Sequence, residues 1–416
     1  MDTGSPPVVD PRRRERWWTD AALYAGSALV AWAALAASDL PLHRSWGRVA
    51  VWVYAGGAAV APLASRGSAA RRVLLAVAVG AGATLVPLAS AVATRGDGGT
   101  GDAAQSEVFV VEEGARSLLE GRDPYAEVFA GPLASRPDAT RSHVPYPPAM
   151  LVFGLPSATA GPGPATDARV WFLLGSLAVA IPAIRAMRTD AEGRLRSFQV
   201  LFVLPTGALL LATGGHDVPV LATLLAAFVL ADRRRAGPAG VVSGVALAMR
   251  QTSVLAIPFV LTILPPRDRV RALLAGAGVA SLAALPFLLW DPGAFIEDVV
   301  LFPLGLGAGR SSARTPTLGS VLIDLAPGSR TPIAIGLVAV ILASVVLLVT
   351  VRRPRTTAGA SARAAVAFAI AIALAPAARF GYVVYPVSLA VWALAFRAGA
   401  ETGSKEPTGP LAATPQ

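Results

Sequence analysis

Residues 106–148 read SEVFVVEEGARSLLEGRDPYAEVFAGPLASRPDATRSHVPYPP. This acidic, proline-punctuated stretch stands between long runs of Ala, Leu, Val and Gly. Three apolar runs precede it, near 19–38, 48–65 and 72–93. After it come runs near 149–160, 169–187, 197–212, 217–232, 238–264, 270–289, 333–351, 362–376 and 380–397. A helix needs about 20 apolar residues to cross a bilayer, and many of these runs approach that length. Strand alternation is absent, and backbone groups in lipid must be satisfied internally. The chain therefore reads as an all-α polytopic membrane protein with eleven to thirteen membrane segments. Residues 106–148 form the body of its first large loop.

Composition points the same way. Of 416 residues, 54% are hydrophobic and 15% charged, against about 25% charged in soluble domains. The net charge is +10, but the arginines sit in short groups between apolar runs, at 12–14, 71–72, 233–235 and 352–353. That is the positive-inside pattern, with added attraction to anionic lipid. It makes the lipid bilayer the expected partner and argues against nucleic acid. There is no cysteine, hence no disulfide framework and no thiolate nucleophile. Three dispersed histidines (His43, His143, His216) and no DxD-type pair offer no metal site, and no cofactor is implied. The N-terminus lacks a signal-cleavage pattern, so the first span-length run is expected to stay as a helix.

The arginine bias places 106–148 outside, together with the turn at 213–217 and the loop at 290–332. Two places resist a simple reading. If the runs at 149–160 and 169–187 both cross, then Arg185, Arg188, Arg194 and Arg196 fall outside, against the bias. A short first run that dips in and out puts them inside, and is preferred. The run at 238–264 carries Arg250 at its middle, where a charge is expensive. Two half-length helices with Arg250 near the outer side resolve that conflict.

Within the opening stretch, Val108, Val111, Ala115 and Leu118 recur at helical spacing, with Ser106 as a candidate N-cap. Glu107, Glu113 and Arg116 fall largely on other faces. The pattern predicts a helix lying at the membrane surface. Gly121 ends it, and Asp123-Pro124 turns to present Tyr125. A solvated surface helix without chemistry fits this periodicity equally well.

The remaining outward polar positions gather at Gly-His-Asp 215–217, at Arg250-Gln251, in the loop after Trp290 and around Arg379. Carboxylates, a histidine and arginines together suit transfer from a phosphorylated donor. A carboxylate can take the acceptor's proton, and arginines can hold a phosphate bidentately. Proton-coupled transport uses similar residues.

The phrase AxxLLxGxDPY at 115–125, followed by Tyr146-Pro147-Pro148, resembles glycosyltransferase family 87. These are membrane enzymes of the C superfamily, among them polyprenol-phosphate-mannose-dependent alpha-mannosyltransferases of actinobacteria. Further similar pieces follow in order: GGHD at 214–217, Arg250-Gln251-Thr252, WDPxAF at 290–295 and RFGYVVYP at 379–386. The resemblance covers roughly 72–397. Residues 1–18 are then a disordered cytoplasmic tail, 19–71 an additional N-terminal transmembrane pair, and 398–416 a disordered tail. The part at 72–397 is a GT-C-like catalytic domain, with 94–148 and 290–332 as extracytoplasmic loops.

The resemblance implies a polyprenyl-phosphate sugar donor, mannose first, and a glycolipid or cell-envelope glycan acceptor. Transfer would proceed by inversion at the extracytoplasmic side of the cell membrane. Many family members carry an Asp fourteen residues before the Gly of LLxG as base. Here that position is Glu107, the usual downstream Tyr falls at Val111, and Asp102 is a substitute. By the same resemblance Arg250, Gln251 and Arg379 bind donor phosphate or lipid, and Tyr125, Tyr146, His216, Asp217 and Tyr382 contact substrate. Blander readings stand beside these: His216 and Asp217 as a helix cap, Arg379 with Tyr382 and Tyr385 as an interfacial anchor. Other functions also fit: a transporter or lipid flippase, or a non-catalytic scaffold that lost its Asp.

Overall fold

The computed structural model describes residues 11–65, 68–96, 104–129, 133, 142–307, 315–351 and 353–403. Among them every regular element is helical. The expectations about residues 1–10, Asp102, part of the 290–332 loop and the tail beyond 403 concern positions outside that set.

Helices α1 (Pro11–Ala37) and α2 (Pro41–Ser65) form a hairpin. The helix already begins at Pro11, where a disordered tail to residue 18 was expected. The pair is fastened to the rest through polar side chains. Trp46 Nε1 donates to the Ala83 carbonyl at 2.8 Å, and Tyr54 donates to that of Val203. Next, α3 (Ala69–Gly80) passes through a π-helical turn at Ala81–Leu85 into α4 (Val86–Gly96).

Helix α5 (Ser106–Leu119) fills the predicted position, and Gly121 follows it with φ +72°. Gln105, not Ser106, is its N-cap residue. The helix is more deeply packed than one resting on a surface: Glu107, Glu112 and most apolar residues are buried, while Glu113 and Arg116 are half-buried. A 3₁₀ turn at Pro148–Gly154 and the short α6 (Leu155–Ala160) fold back against it. Gly154 lies so close that an added Cβ would fall 2.1 Å from the Val111 carbonyl oxygen.

Helix α7 (Ala168–Ala186) opens at Asp167, whose carboxylate meets Arg95 of α4 at 2.8 Å. The segment 148–160 thus begins and ends at one end of the bundle, which is the expected dip. At the other end of α7, Arg233 Nε donates to the Ala186 carbonyl at 2.8 Å.

Helices α8 (Ala191–Phe202) and α9 (Pro205–Thr213) return the chain to the α5 end. Helix α10 (Asp217–Asp232) is apolar on every side and almost wholly buried, as a helix at the centre of a bundle must be. Helix α11 (Ala236–Met249) stops at Arg250, and a 3₁₀ turn at Gln251–Leu255 leads into α12 (Ile257–Ile263). Arg234, before α11, donates to the carbonyl of Ile263 at 2.8 Å, so both half-helices start and finish at the same end.

Helix α13 (Pro266–Trp290) packs on α11 through small residues. A Cβ on Gly240 would lie 2.1 Å from the Ala272 oxygen, and one on Gly244 2.3 Å from that of Gly276. Such small-residue contacts let membrane helices approach closely. The chain ends with α14 (Pro292–Ile296), a π-helical turn at Glu297–Leu301, α15 (Leu318–Leu325), α16 (Arg330–Thr350), α17 (Thr357–Leu374) and α18 (Val384–Gly403). Residues 398–403 are therefore helical too.

Nine of the described helices are long and apolar enough to cross a membrane. Three shorter apolar helices, Pro148–Ala160, Ala236–Met249 and Gln251–Ile263, and the sixteen-residue α10 complete the bundle. Large apolar side chains such as Trp52, Leu282 and Leu289 stand exposed on its outside, as expected of a lipid-facing surface. The chain is a multi-span membrane protein. At the arginine-rich end, Arg72 and Arg196 both bind Asp20, at 2.6 and 2.5 Å, and both also pair with Glu192. That network joins α1, α3 and α8.

Candidate active site

The end of the bundle opposite those arginines collects the polar residues singled out from sequence. The start of α5 is pinned to the end of α9. Gln105 Nε2 donates to Thr213 Oγ1 at 2.8 Å, and the Gln105 amide donates to the Thr213 carbonyl at 3.2 Å. Gly214 follows with φ +113°, and a Cβ there would fall 2.4 Å from Val108 Cγ2. Glycine is required here both for the left-handed turn and for the close approach.

This docking places Glu107, in the first turn of α5, in the interior. It is 5% exposed, and Oε1 is ion-paired with the guanidinium of Arg379. Its Oε2 is buried and accepts no hydrogen bond among the described residues. A buried carboxylate is costly unless paired. The arginine supplies the charge, and the α5 N-terminus favours an anion at this position.

Arg379 lies just before a 3₁₀ turn at Phe380–Val383, whose Tyr382 amide bonds back to the Arg379 carbonyl at 3.0 Å. The turn lays the Tyr382 ring on Arg250, with Cζ 4.9 Å from the ring centroid, a cation–π contact. Arg250 is buried and faces Asp217 at 3.2 Å. Asp217 also accepts from the Tyr385 hydroxyl at 2.9 Å. The other neighbour is His216: Arg250 Nη1 lies 2.7 Å from its Nε2. A guanidinium can only donate, so Nε2 accepts, and the neutral ring carries its proton on Nδ1. That Nδ1 is buried without a partner among the described residues.

Tyr146 packs edge-on against His216, ring centroids 4.2 Å apart. Its carbonyl accepts from the Tyr125 hydroxyl at 3.0 Å, and the preceding Pro145 carbonyl accepts from Gln251 Nε2 at 3.2 Å. Gln251 Oε1 and Thr252 Oγ1 are left buried without partners. Asp123 Oδ1 accepts the Tyr125 amide at 3.0 Å, which is the expected Asp-Pro turn. The nine residues proposed from sequence thus form two linked groups. Arg250 gathers His216, Asp217 and Tyr382, with Tyr146 against His216, while Gln251 and Tyr125 bond the carbonyls of Pro145 and Tyr146. Glu107 and Arg379 join through the turn carrying Tyr382.

Three features were not legible in the sequence. Arg95 binds Glu112 at 3.0 and 2.5 Å and Asp167 at 2.8 Å, while Asp167 also holds Arg169. This buried cluster clamps α4, α5 and α7 together. Tyr385, for which an interfacial anchor was the blander alternative, is a buried donor to Asp217. Third, Asp298 of the second loop is buried and accepts the Val144 amide at 2.6 Å, with His143 Nε2 3.9 Å away. Burial, aided by Glu297 and Asp123 nearby, pushes its carboxyl up to about 8 despite the Val144 bond. Only its place within IEDVV, an acid followed by two apolar residues, hinted at an inward-facing carboxyl.

A family model described as glycosyltransferase family 87 matches residues 144–376, more than half of the chain. The chain belongs to glycosyltransferase family 87. As a member of this family it is a membrane-embedded, sugar-transferring enzyme of the GT-C class, and membership implies a lipid-linked sugar donor. The matched region takes in Tyr146, His216, Asp217, Arg250 and Gln251, and leaves out Glu107, Tyr125, Arg379 and Tyr382. No curated protein and no solved structure matches the chain.

Proposed function

We propose that this family 87 enzyme moves a hexose, mannose first, from a polyprenyl-phosphate donor to a glycolipid or cell-envelope glycan. Glu107 acts as base. The observation that supports this most is the pairing of Glu107, a buried carboxylate with one unpartnered oxygen, with Arg379. A proton acceptor and a phosphate ligand belong to one site, and a bound donor sugar parts them, with the carboxylate and the guanidinium on opposite faces of the anomeric carbon. In the step itself the acceptor hydroxyl oxygen attacks the anomeric carbon and the bond from that carbon to the phosphate oxygen breaks. The hydroxyl proton passes to Glu107, and polyprenyl phosphate leaves with the electron pair. Attack opposite the leaving group inverts the anomeric centre.

Arg379, half-buried, meets the phosphate first, with Gln251 beside it. Arg250, balanced by Asp217, contributes hydrogen-bond donors and fixes the His216 ring rather than adding net charge. His216 Nδ1–H, Gln251 Oε1 and the Thr252 hydroxyl offer one donor, one acceptor and a group that is both, which suits sugar hydroxyls. Tyr125, Tyr146 and Tyr382 supply the aromatic walls. The arginine-rich opposite end is cytoplasmic by the positive-inside bias, so the site faces the extracytoplasmic side.

Incubating the purified protein with labelled polyprenyl-phosphate sugars and a lipid extract of its host tests the reading. Label should enter a new glycolipid. Passage of the intact donor across a sealed vesicle, with no covalent change, would overturn it in favour of a transporter or flippase.

A further inference from the structure

At the end of the bundle farthest from Glu107, a cavity of about 740 Å³ opens where four helices meet. Its walls are the last turns of α10 and α12, the first turn of α17 and the C-terminal half of α18. Arg234, Arg355 and Arg397 reach it from three separate segments. We infer that this cavity binds the headgroup phosphate of an anionic phospholipid. The inference is independent of the reaction at the opposite end.

The charge balance favours an anion. Three guanidiniums face two carboxylates in the lining. Asp232 accepts from the Thr357 hydroxyl, and Glu401 accepts from Arg397 Nε at 3.2 Å. Arg188 lies a further 3.9 Å from Asp232, so the balance is positive. Arg234 spends one nitrogen on the Ile263 carbonyl at 2.8 Å. Its backbone is left-handed, φ 59°, the one described non-glycine residue with positive φ. That conformation is uncommon for a residue with a side chain, and the guanidinium reaches from the link between α10 and α11 to the end of α12. Arg355 is exposed and makes no ion pair among the described residues. A guanidinium retains several donors after one contact, so three arginines around one cavity can meet a phosphate from different sides.

The apolar wall separates a lipid from a free ion. Leu394, Arg397 and Glu401 recur along one face of α18 at three- and four-residue spacing. Leu394, one turn deeper than Arg397, is 70% exposed on the outside of the bundle. Ala393 and Ile263 continue that wall. A headgroup at the arginines would therefore lie in line with an acyl chain along Leu394. Basic pockets between spans at the inner leaflet bind anionic headgroups in this manner.

The test uses the full chain, stripped of lipid and reconstituted in phosphatidylcholine nanodiscs with or without phosphatidylglycerol, and retained lipid is read by native mass spectrometry. Phosphatidylglycerol should be retained preferentially. The double variant Arg355→Gln/Arg397→Gln, both at exposed positions, should weaken its binding roughly tenfold. Leu394→Glu, which sets a carboxylate against the acyl chain, should weaken it as well. Retention unchanged in both variants would overturn the inference, as would equal retention of the zwitterionic lipid. Displacement of the lipid by inorganic phosphate at matched concentration would show a site for the free ion and also overturn it.

Discussion

Glu107 and Arg379 form an ion pair although they lie on elements far apart in the chain. The carboxylate is buried and the arginine half-buried. A buried carboxylate needs such a partner to offset the cost of its charge. A guanidinium can hold a phosphate bidentately, so in the proposed reaction Arg379 would draw the donor to within reach of Glu107.

From this pair follows the most direct prediction. Glu107→Gln keeps the shape of the side chain and removes its proton affinity, and should lower kcat by about 10²- to 10⁴-fold. Glu107→Asp, which shortens the reach, should retain intermediate activity. Arg379→Gln should instead raise KM for the lipid-linked donor, with Arg379→Lys partly restoring it. Radiolabel transfer under steady-state conditions separates these effects. Wild-type turnover in Glu107→Gln would remove Glu107 from the chemistry.

Arg250 offers a stability test. It is buried beside Asp217, and Tyr385 bonds that same carboxylate. Asp217→Asn leaves the cation uncompensated, which typically costs about 3–5 kcal/mol. Tyr385→Phe removes one hydrogen bond worth about 1 kcal/mol. Thermal melts in detergent should therefore show a much larger drop for Asp217→Asn. Equal drops would mean that Asp217 does not hold Arg250.

Much of the fold was legible in the apolar periodicity and the arginine spacing. The dip at 148–160 and the broken pair at 236–263 followed from a single argument each, the position of basic residues and the expense of a charge at mid-depth. What sequence could not show was the partner of each buried charge. Glu112 looks like its neighbour Glu113, yet one lies in a buried clamp with Arg95 and the other is half-buried beside Arg116. The difference is a 100° rotation about α5, and its consequence depends on where α4 and α7 pack. For the same reason α5 read as a surface helix: both its faces carry apolar residues, and only tertiary contacts show that both are covered. Convergence of Glu107 on Arg379 is likewise a property of the fold, since nothing local links residues so distant.

Gly214 tests whether the docking of α5 matters. Alanine there meets two obstacles, the left-handed φ of +113° and a contact of 2.4 Å with Val108 Cγ2. Strain of this sort costs about 1–3 kcal/mol, and relief requires α5 to move away from α9. Gly214→Ala should therefore lower the melting temperature and reduce activity together. Gly121→Ala, where φ is +72° and no atom lies within 4 Å of the added Cβ, should cost stability without the same loss of turnover. If both variants lose activity equally, the contact with Val108 is not what sets the site.

Asp298 gives the fold a pH dependence whose sign can be worked out. Its carboxyl is raised from 3.8 to about 8 by burial, so the folded chain holds a proton there that the unfolded chain releases above the ordinary carboxylate range. Wherever the folded state binds more protons, stability falls as pH rises. The penalty is absent below about pH 4, grows between there and about pH 8, and is constant above. Asp298→Asn keeps an oxygen for the Val144 amide and cannot ionise. It should therefore melt close to wild type near pH 4 and clearly higher than wild type at pH 8. Its neighbours Glu297, Asp123 and His143 stay in place in both proteins, so the difference between the two curves isolates Asp298. Parallel curves across that range would show that the carboxyl is not raised.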